Sequence, residues 1–448
     1  MLNSKASLPP KNRLIRLALP IITGSLLQLA YNITDMFWVG RVGSSAVAAV
    51  GTAGFYMNLA WALLTLLLTG VNVLVPQSVG AGDKTKINRV ASTAFWGISI
   101  LAVAVTAVLC WGKQPLIGFF KFNDPAVEEQ AQQYLYIVAF SVVLQYLNLF
   151  FASLINAHGK TKTTLKINSL GILTNIILDP LLITSYGMGV KGAAYATVIA
   201  RAVVFVRYLY LLQKQQDIKI WKVRPDFKLI RPIIKLGSPI ALQRLTFTGI
   251  QIIMAKLLAE WGAKAVAAQQ IGLSMEALSF MTMAGLSQAM TIQTGQDYGG
   301  QHYKLIPKTY REGITFATII GLSITALFWL LPQQLMGFFL KDPQTIALGT
   351  IYLYILGASQ VFMCWEMVTV GAFNGLGKTQ IPPIVSIICT GARIPLALLL
   401  AHQLDCGVEG IWAAVTVSSI AKGVILPSLF LWTLYQFKKH SFSFSKSI

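Results

Sequence analysis

Two carboxylates stand where a carboxylate is expensive. Asp35, in the stretch YNITDMFWVG, closes a long apolar run with no basic residue within five positions on either side. Asp179, in NSLGILTNIILDPLL, lies in another such run, four residues after Asn175. That spacing puts Asn175 and Asp179 on one helix face. A charged side chain in the middle of a membrane helix costs about 2.5–3.5 kcal/mol on the insertion scale, so it normally faces a cavity or a partner. Low-dielectric surroundings favour the neutral form of a carboxyl group. Such a group can take up a proton on one side of a membrane and give it up on the other, biasing two conformations differently. Pro180 follows Asp179, and its missing N–H is expected to disturb the local backbone bonding and free a carbonyl for a cation.

The rest of the chain must position these groups. Of 448 residues, 55% are hydrophobic and only 12% charged, about half the charged share of a soluble protein. Apolar stretches long enough to span a bilayer are read at 14–39, 47–75, 90–111, 129–153, 163–185, 190–213, 233–260, 266–293, 312–331, 347–373, 380–402 and 408–436. With the N-terminus in the cytoplasm, the cytoplasmic segments hold 24 of the 36 Lys and Arg, from Lys5 to Lys446. The outer segments hold 6: Arg41, Lys113, Lys121, Lys191, Lys264 and Lys341. That bias fixes the orientation by the positive-inside rule, with both termini cytoplasmic. The net charge of +20 then faces anionic lipid, and nucleic acid is a poor partner. A multi-pass protein of the plasma (inner) membrane is expected, its partners the bilayer and a small solute, its working unit a monomer. The four cysteines form no CxxC pair, and no HExxH or phosphate-loop pattern occurs, so no metal centre, cofactor or enzyme activity is expected.

The fold class expected is all-α integral membrane: twelve helices in two parallel six-helix repeats. INAHGKTKTT (155–164) returns as FNGLGKTQIP (373–382), YLYI at 134–137 as 352–355 and GVKG at 189–192 as GVEG at 407–410, all at an offset of 218. AVAA at 46–49 returns at 265–268, and Pro20 as Pro239, at 219. Residues 1–213 form one lobe, 214–232 a cytoplasmic linker and 233–448 the other. Six spans per repeat relate the lobes by an axis along the membrane normal, and transporters of that kind hold substrate between the repeats.

Counting 1.5 Å per residue, Asp35, Asp179 and Thr197 lie roughly 8, 9 and 10 Å below the outer ends of spans one, five and six. They share one level, with Tyr31 and Asn32 a turn below Asp35. The repeat supplies a control: Asp35, Asn175, Asp179 and Thr197 correspond to Met254, Arg393, Ala397 and Val415. The second lobe keeps the scaffold and drops the carboxylates. The competing reading is that either acid neutralises an intramembrane base such as Arg201 or Arg207.

Twelve spans in two halves, Pro20 with Asp35, the N-x-x-x-D-P motif at 175–180 and the GKT turns together resemble the MATE (multidrug and toxic compound extrusion) family. The acids of the first lobe look most like its DinF branch. The resemblance implies an antiporter that exports lipophilic, often cationic compounds in exchange for protons, by alternating access. Its cation site falls on Asp35, Asn175, Asp179 and Thr197, where sodium would be the alternative ion. Tyr31, Asn32 and Glu366 form a secondary set, and Glu260 lies at the outer rim of span seven. Met254, Met275, Met281 and Met283 are candidates for the substrate chamber, since Met adapts to varied shapes. A lipid-linked precursor flippase is the other alternative; it would want a strongly cationic central cavity.

Overall fold

The computed structural model describes residues 13–122, 124–214 and 220–444. Lys5 and Lys446, and with them the terminal segments of the cytoplasmic assignment, lie outside the described residues.

Twelve helical units cross the bundle. Spans 1–6 are Arg13–Val42, Ser44–Gly80, Lys84–Trp111, Pro125–Ala157, Thr161–Pro180 extended by Leu181–Ser185, and Gly189–Lys214. Spans 7–12 are Ile230–Ala259, Ala263–Gly299, Ile306–Leu330, the pair Pro343–Gly357 and Gln360–Gly375, the run from Ile381 to Gln403, and Gly407–Phe444. Span 10 bends by 50° between its two pieces. Spans 7 and 8 are full length, yet they fall outside the helices apolar enough to be recognised by hydropathy. They carry Arg244, Lys256 and Glu276 and owe their place to neighbouring helices rather than to lipid. Between spans 6 and 7 the chain makes two short 3-10 turns, Ile220–Lys222 and Phe227–Leu229. The linker is pinned on span 3, where Ser92 donates to the Val223 carbonyl at 2.7 Å and Thr93 accepts from the Asp226 N–H at 2.9 Å.

The repeat is visible as backbone geometry. Leu181–Ser185 is a single widened π turn, and so is Leu399–Gln403, 218 residues later. The position before the second one is Leu398, not proline. A proline at that position is therefore not required for the irregularity, and the Pro180 carbonyl itself accepts from the Thr184 hydroxyl. What the two turns share is the glycine packed on them. A Cβ on Gly192 would sit 2.6 Å from the Leu182 oxygen, and one on Gly410 2.7 Å from the Ala401 nitrogen. The recurring GV-x-G motif thus marks a helix that closes directly on a widened turn.

Inter-lobe packing gathers toward the end of the bundle that carries Arg13 and Lys84, called here the basic face. Leu14, Leu17 and Ala18 of span 1 are buried with Met283, Leu286, Ala289 and Met290 of span 8. A Cβ on Gly80 would lie 2.0 Å from the Gln296 carbonyl oxygen, so spans 2 and 8 meet backbone to backbone. Gln77 donates to the Gly375 carbonyl at 2.9 Å, and Gln296 to the Ala157 carbonyl at 2.7 Å. Arg13 bonds Gln296 and pairs with Asp297 at 3.6 Å. Asp297 is 1% exposed and is also held by Gln293 and Thr309. Nearer the opposite face, Arg244 of span 7 reaches the Trp61 ring of span 2, 4.3 Å from its centroid.

A side chain at position 80 cannot coexist with this closure. In a protein with Cys110, Cys364, Cys389 and Cys406 replaced by Ala and Met283 by Cys, Gly80→Leu should raise labelling of position 283 by a membrane-impermeant maleimide by at least about tenfold, as the populations of the closed and open forms shift. Unchanged labelling would mean that the Gly80 contact does not hold the basic face shut.

Candidate functional site

Each lobe buries polar side chains midway along its helices, and the two sets differ in charge. In the first lobe Asn175 and Asp179 of span 5 are 1% and 0% exposed, and Thr197 of span 6 is 5% exposed. The Asn175 amide donates to Asp179 Oδ2 at 2.7 Å and its oxygen accepts from the Thr197 N–H at 3.3 Å. Asp35, on span 1, faces Asp179 closely enough for their charges to interact directly. Its Oδ1 is buried and has no hydrogen-bond partner. Tyr31, a turn away on the same face, reaches the Thr197 side chain and neighbours both acids. The four residues read as a cation site are therefore contiguous.

Asn32 does not join them. It is one position round the helix from Tyr31, exposed, and bonds Gln28 at 3.2 Å.

Two further residues complete the cluster. Arg201 lies four positions after Thr197 on span 6 and is the base nearest Asp35, Tyr31 and Tyr134. It donates to Ser141 Oγ at 2.5 Å, and its own carbonyl accepts from Asn148 at 2.9 Å. Tyr134 of span 4 is 7% exposed and turns toward Asp35, Tyr31 and Arg201. Both were legible in principle, Arg201 from its i+4 spacing to Thr197 and Tyr134 from the repeated YLYI. Arg207 lies elsewhere, exposed beside the Tyr210 ring at 5.2 Å.

The second lobe answers these positions with a different charge set. Arg393, equivalent to Asn175, donates to Ser418 at 2.5 Å and to Ser419, the equivalent of Arg201, at 3.2 Å. It faces Glu366, Glu276 and Tyr352. Glu366 stands where the first lobe has Asn148 and is paired with Lys422, whose Nζ lies 2.9 and 3.0 Å from its two oxygens. Glu366, the span-ten acid that the resemblance to sodium-coupled members singles out, thus already has a cation in Lys422. Glu260 sits on the rim beside His402 at 3.7 Å.

The four methionines divide. In this closed arrangement Met283 is fully buried in the inter-lobe plug and Met254 is 8% exposed in the second lobe's own core. Met275 and Met281 are half-buried.

These features define a polytopic membrane transporter of two parallel repeats. The MatE family profile matches residues 20–181 and 239–399, so each repeat is matched once, from its proline to its π turn. The chain belongs to the MatE family. Among its relatives, the probable multidrug resistance protein NorM of Thermotoga maritima is 26% identical over 432 residues, 94% of this chain and 92% of that protein. The uncharacterized transporter YisQ of Bacillus subtilis is 22% identical over 422 residues, 92% of each chain. An outward-facing multidrug resistance MATE family transporter of the MOP superfamily shares the fold with a TM-score of 0.89, at 24% identity over 96% of this chain and 97% of that one. A MOP superfamily transporter from Pyrococcus furiosus, whose binding pocket is described as having reverse polarity, gives 0.88 at the same identity and coverage.

The Glu366–Lys422 pair yields a test by double substitution. Lys422→Met leaves a buried carboxylate without its cation and should destabilise by about 3–5 kcal/mol, whereas Lys422→Met with Glu366→Gln should recover most of that loss. Thermal unfolding in detergent checks it. Equal losses in the single and double variants would mean the two charges do not depend on each other.

Proposed function

We propose that this chain is a multidrug efflux antiporter of the DinF type, exporting lipophilic, often cationic compounds in exchange for a proton held by Asp35 and Asp179. One observation carries the reading. The first-lobe cluster pairs two carboxyl groups, Asp179 fully buried and Asp35 partly so, with a single guanidinium, Arg201. With both acids ionised it holds an uncompensated negative charge, and burying one costs several kcal/mol. A proton or another monovalent cation cancels it. The second lobe, with Glu276 and Glu366 set against Arg393 and Lys422, is already balanced.

The ligand arrangement favours the proton. Oriented to satisfy both neighbours, the Asn175 amide gives its N–H to Asp179 and its oxygen to the Thr197 N–H, so the group next to Asp179 is a donor and not a cation ligand. Arg201 repels a second fixed cation, whereas a proton is held covalently on one carboxyl oxygen. The orphaned Asp35 Oδ1 is the position where a shared proton between the two acids would be held.

With the basic face cytoplasmic, the closed inter-lobe contacts describe a form shut toward the cell interior. Loading of the acid pair then has to favour one of the two lobe arrangements over the other, since a ligand shifts an equilibrium only by its differential affinity for the two states. The balanced second lobe offers no strongly cationic central cavity, which speaks against a lipid-linked precursor flippase.

Proteoliposomes with an imposed pH gradient and a fluorescent cationic dye test the proposal. The wild-type protein should move dye against its own gradient, and Asp35→Asn and Asp179→Asn should each reduce this to the level of empty vesicles. The Glu366→Gln, Lys422→Met double variant should keep it. Uphill movement that follows a sodium gradient at equal pH on both sides would replace the proton by sodium, and undiminished movement by Asp35→Asn would remove the coupling role altogether.

A further inference from the structure

The repeat builds one more feature twice, and transport does not account for it. At the basic face a cavity of about 510 Å³ lies between the start of span 1 and the start of span 5, lined by Arg13, Arg16, Lys160, Thr161, Lys162 and Gln296 among others. A second cavity of about 510 Å³ is lined by Pro232, Lys235, Leu236, Lys378, Thr379 and Gln380 among others. Shifted by 219 and 218, Arg16 becomes Lys235, Leu17 becomes Leu236, Lys160 becomes Lys378 and Thr161 becomes Thr379. The two cavities are the same pocket in the two lobes.

In the first pocket everything points to an anion. Span 5 opens at Thr161 with no side chain capping it, so its first N–H groups and the positive end of its dipole face the cavity. An uncapped helix start of this kind is a ready site for phosphate. The Thr161 hydroxyl, on a residue only 2% exposed, is buried with no hydrogen-bond partner. Among the described residues Arg16, Lys160 and Lys162 pair with no carboxylate, and only Arg13 has one, Asp297. Three cations without a carboxylate partner and an open helix end thus line one cavity, with the orphaned Thr161 hydroxyl buried in its wall, as the Thr379 hydroxyl is in the second pocket. The second pocket is weaker. Pro232 and Gln380 replace two of the bases, and Lys378 lies over the Phe437 ring at 5.4 Å.

We propose that the first-lobe pocket binds a phosphate group, supplied at this depth by the headgroup of an anionic phospholipid on the basic face. The pocket also takes Arg13 from the first lobe and Gln296 from the second, two residues that bond each other across the closed face. A phosphate seated there bridges both lobes and holds the basic face shut, so an occupied pocket favours the form described here.

Native mass spectrometry of the full-length protein in neutral detergent provides the test, with dioleoyl-phosphatidylglycerol, dioleoyl-phosphatidylcholine or inorganic phosphate added. Phosphatidylglycerol should be retained in preference to phosphatidylcholine. Arg16→Gln with Lys162→Gln should weaken its retention about 25-fold, each base near an anionic headgroup contributing roughly a factor of five. Thr161→Val should weaken it as well, without lowering the unfolding temperature of the lipid-free protein. Lys308→Gln with Arg311→Gln, an exposed basic pair at the start of span 9, should leave it unchanged. Displacement by submillimolar inorganic phosphate would keep the site but make free phosphate its ligand. Retention by the Arg16, Lys162 variant equal to wild type, or an equal loss in the Lys308, Arg311 variant, would overturn the proposal.

Discussion

An ionised side chain inside a helical bundle needs its opposite within a few ångströms, because water is not there to screen it. That constraint organises both halves of this molecule. The second lobe meets it internally, with Lys422 against Glu366 and Arg393 among Glu276, Glu366 and two serines. The first lobe meets it only in part. Arg201 lies close to Asp35, and Asp179 has Asp35 as its charged neighbour and, among the described residues, no base of its own. On the proposed function, that uncancelled charge is what a coupling cation would answer.

Duplication makes the asymmetry informative. The lobes share helix order, the π turns and the glycines that close on them, yet at the same depth one carries Asn175 and Arg201 where the other carries Arg393 and Ser419. Moving the guanidinium from one helix to its neighbour preserves packing and changes the charge count. On the proposed function, the difference would serve coupling in the first lobe and packing in the second. The inter-lobe plug of Leu14, Leu17, Ala18, Met283 and Met290 is where a charge state in one lobe would be read by the other, since span 1 carries both Asp35 and the plug.

Much of this was legible in the residues. All twelve spans read as apolar runs of sufficient length, and among the described residues ten of them pass a strict hydropathy test while spans 7 and 8, with their charges, do not. The isolated acids and the i+4 spacing of Asn175 and Asp179 located the cluster, because lipid leaves few reasons to keep a carboxylate. What failed depended on long-range partners or on local geometry that recurs without its supposed cause. Glu366 and Lys422 meet across 56 positions, a distance no periodicity conveys. Pro180 looked responsible for an irregular turn that its repeat forms with Leu398. Asn32 shares a turn with Tyr31, but 100° of rotation sends it away from the acids. Met283 was read as a cavity residue because adaptable side chains suit cavities, and they suit tight plugs equally well.

The central claim is that the first lobe holds one exchangeable positive charge in the closed-basic-face form and gives it up when substrate binds. The direct measurement is proton release into weakly buffered detergent solution on saturation with a cationic dye. About one proton per transporter is predicted for the wild-type protein, as expected for a linked site, and none for the Asp35→Asn, Asp179→Asn double variant. No release by a wild-type protein that binds the dye, or equal release by the variant, would contradict the account.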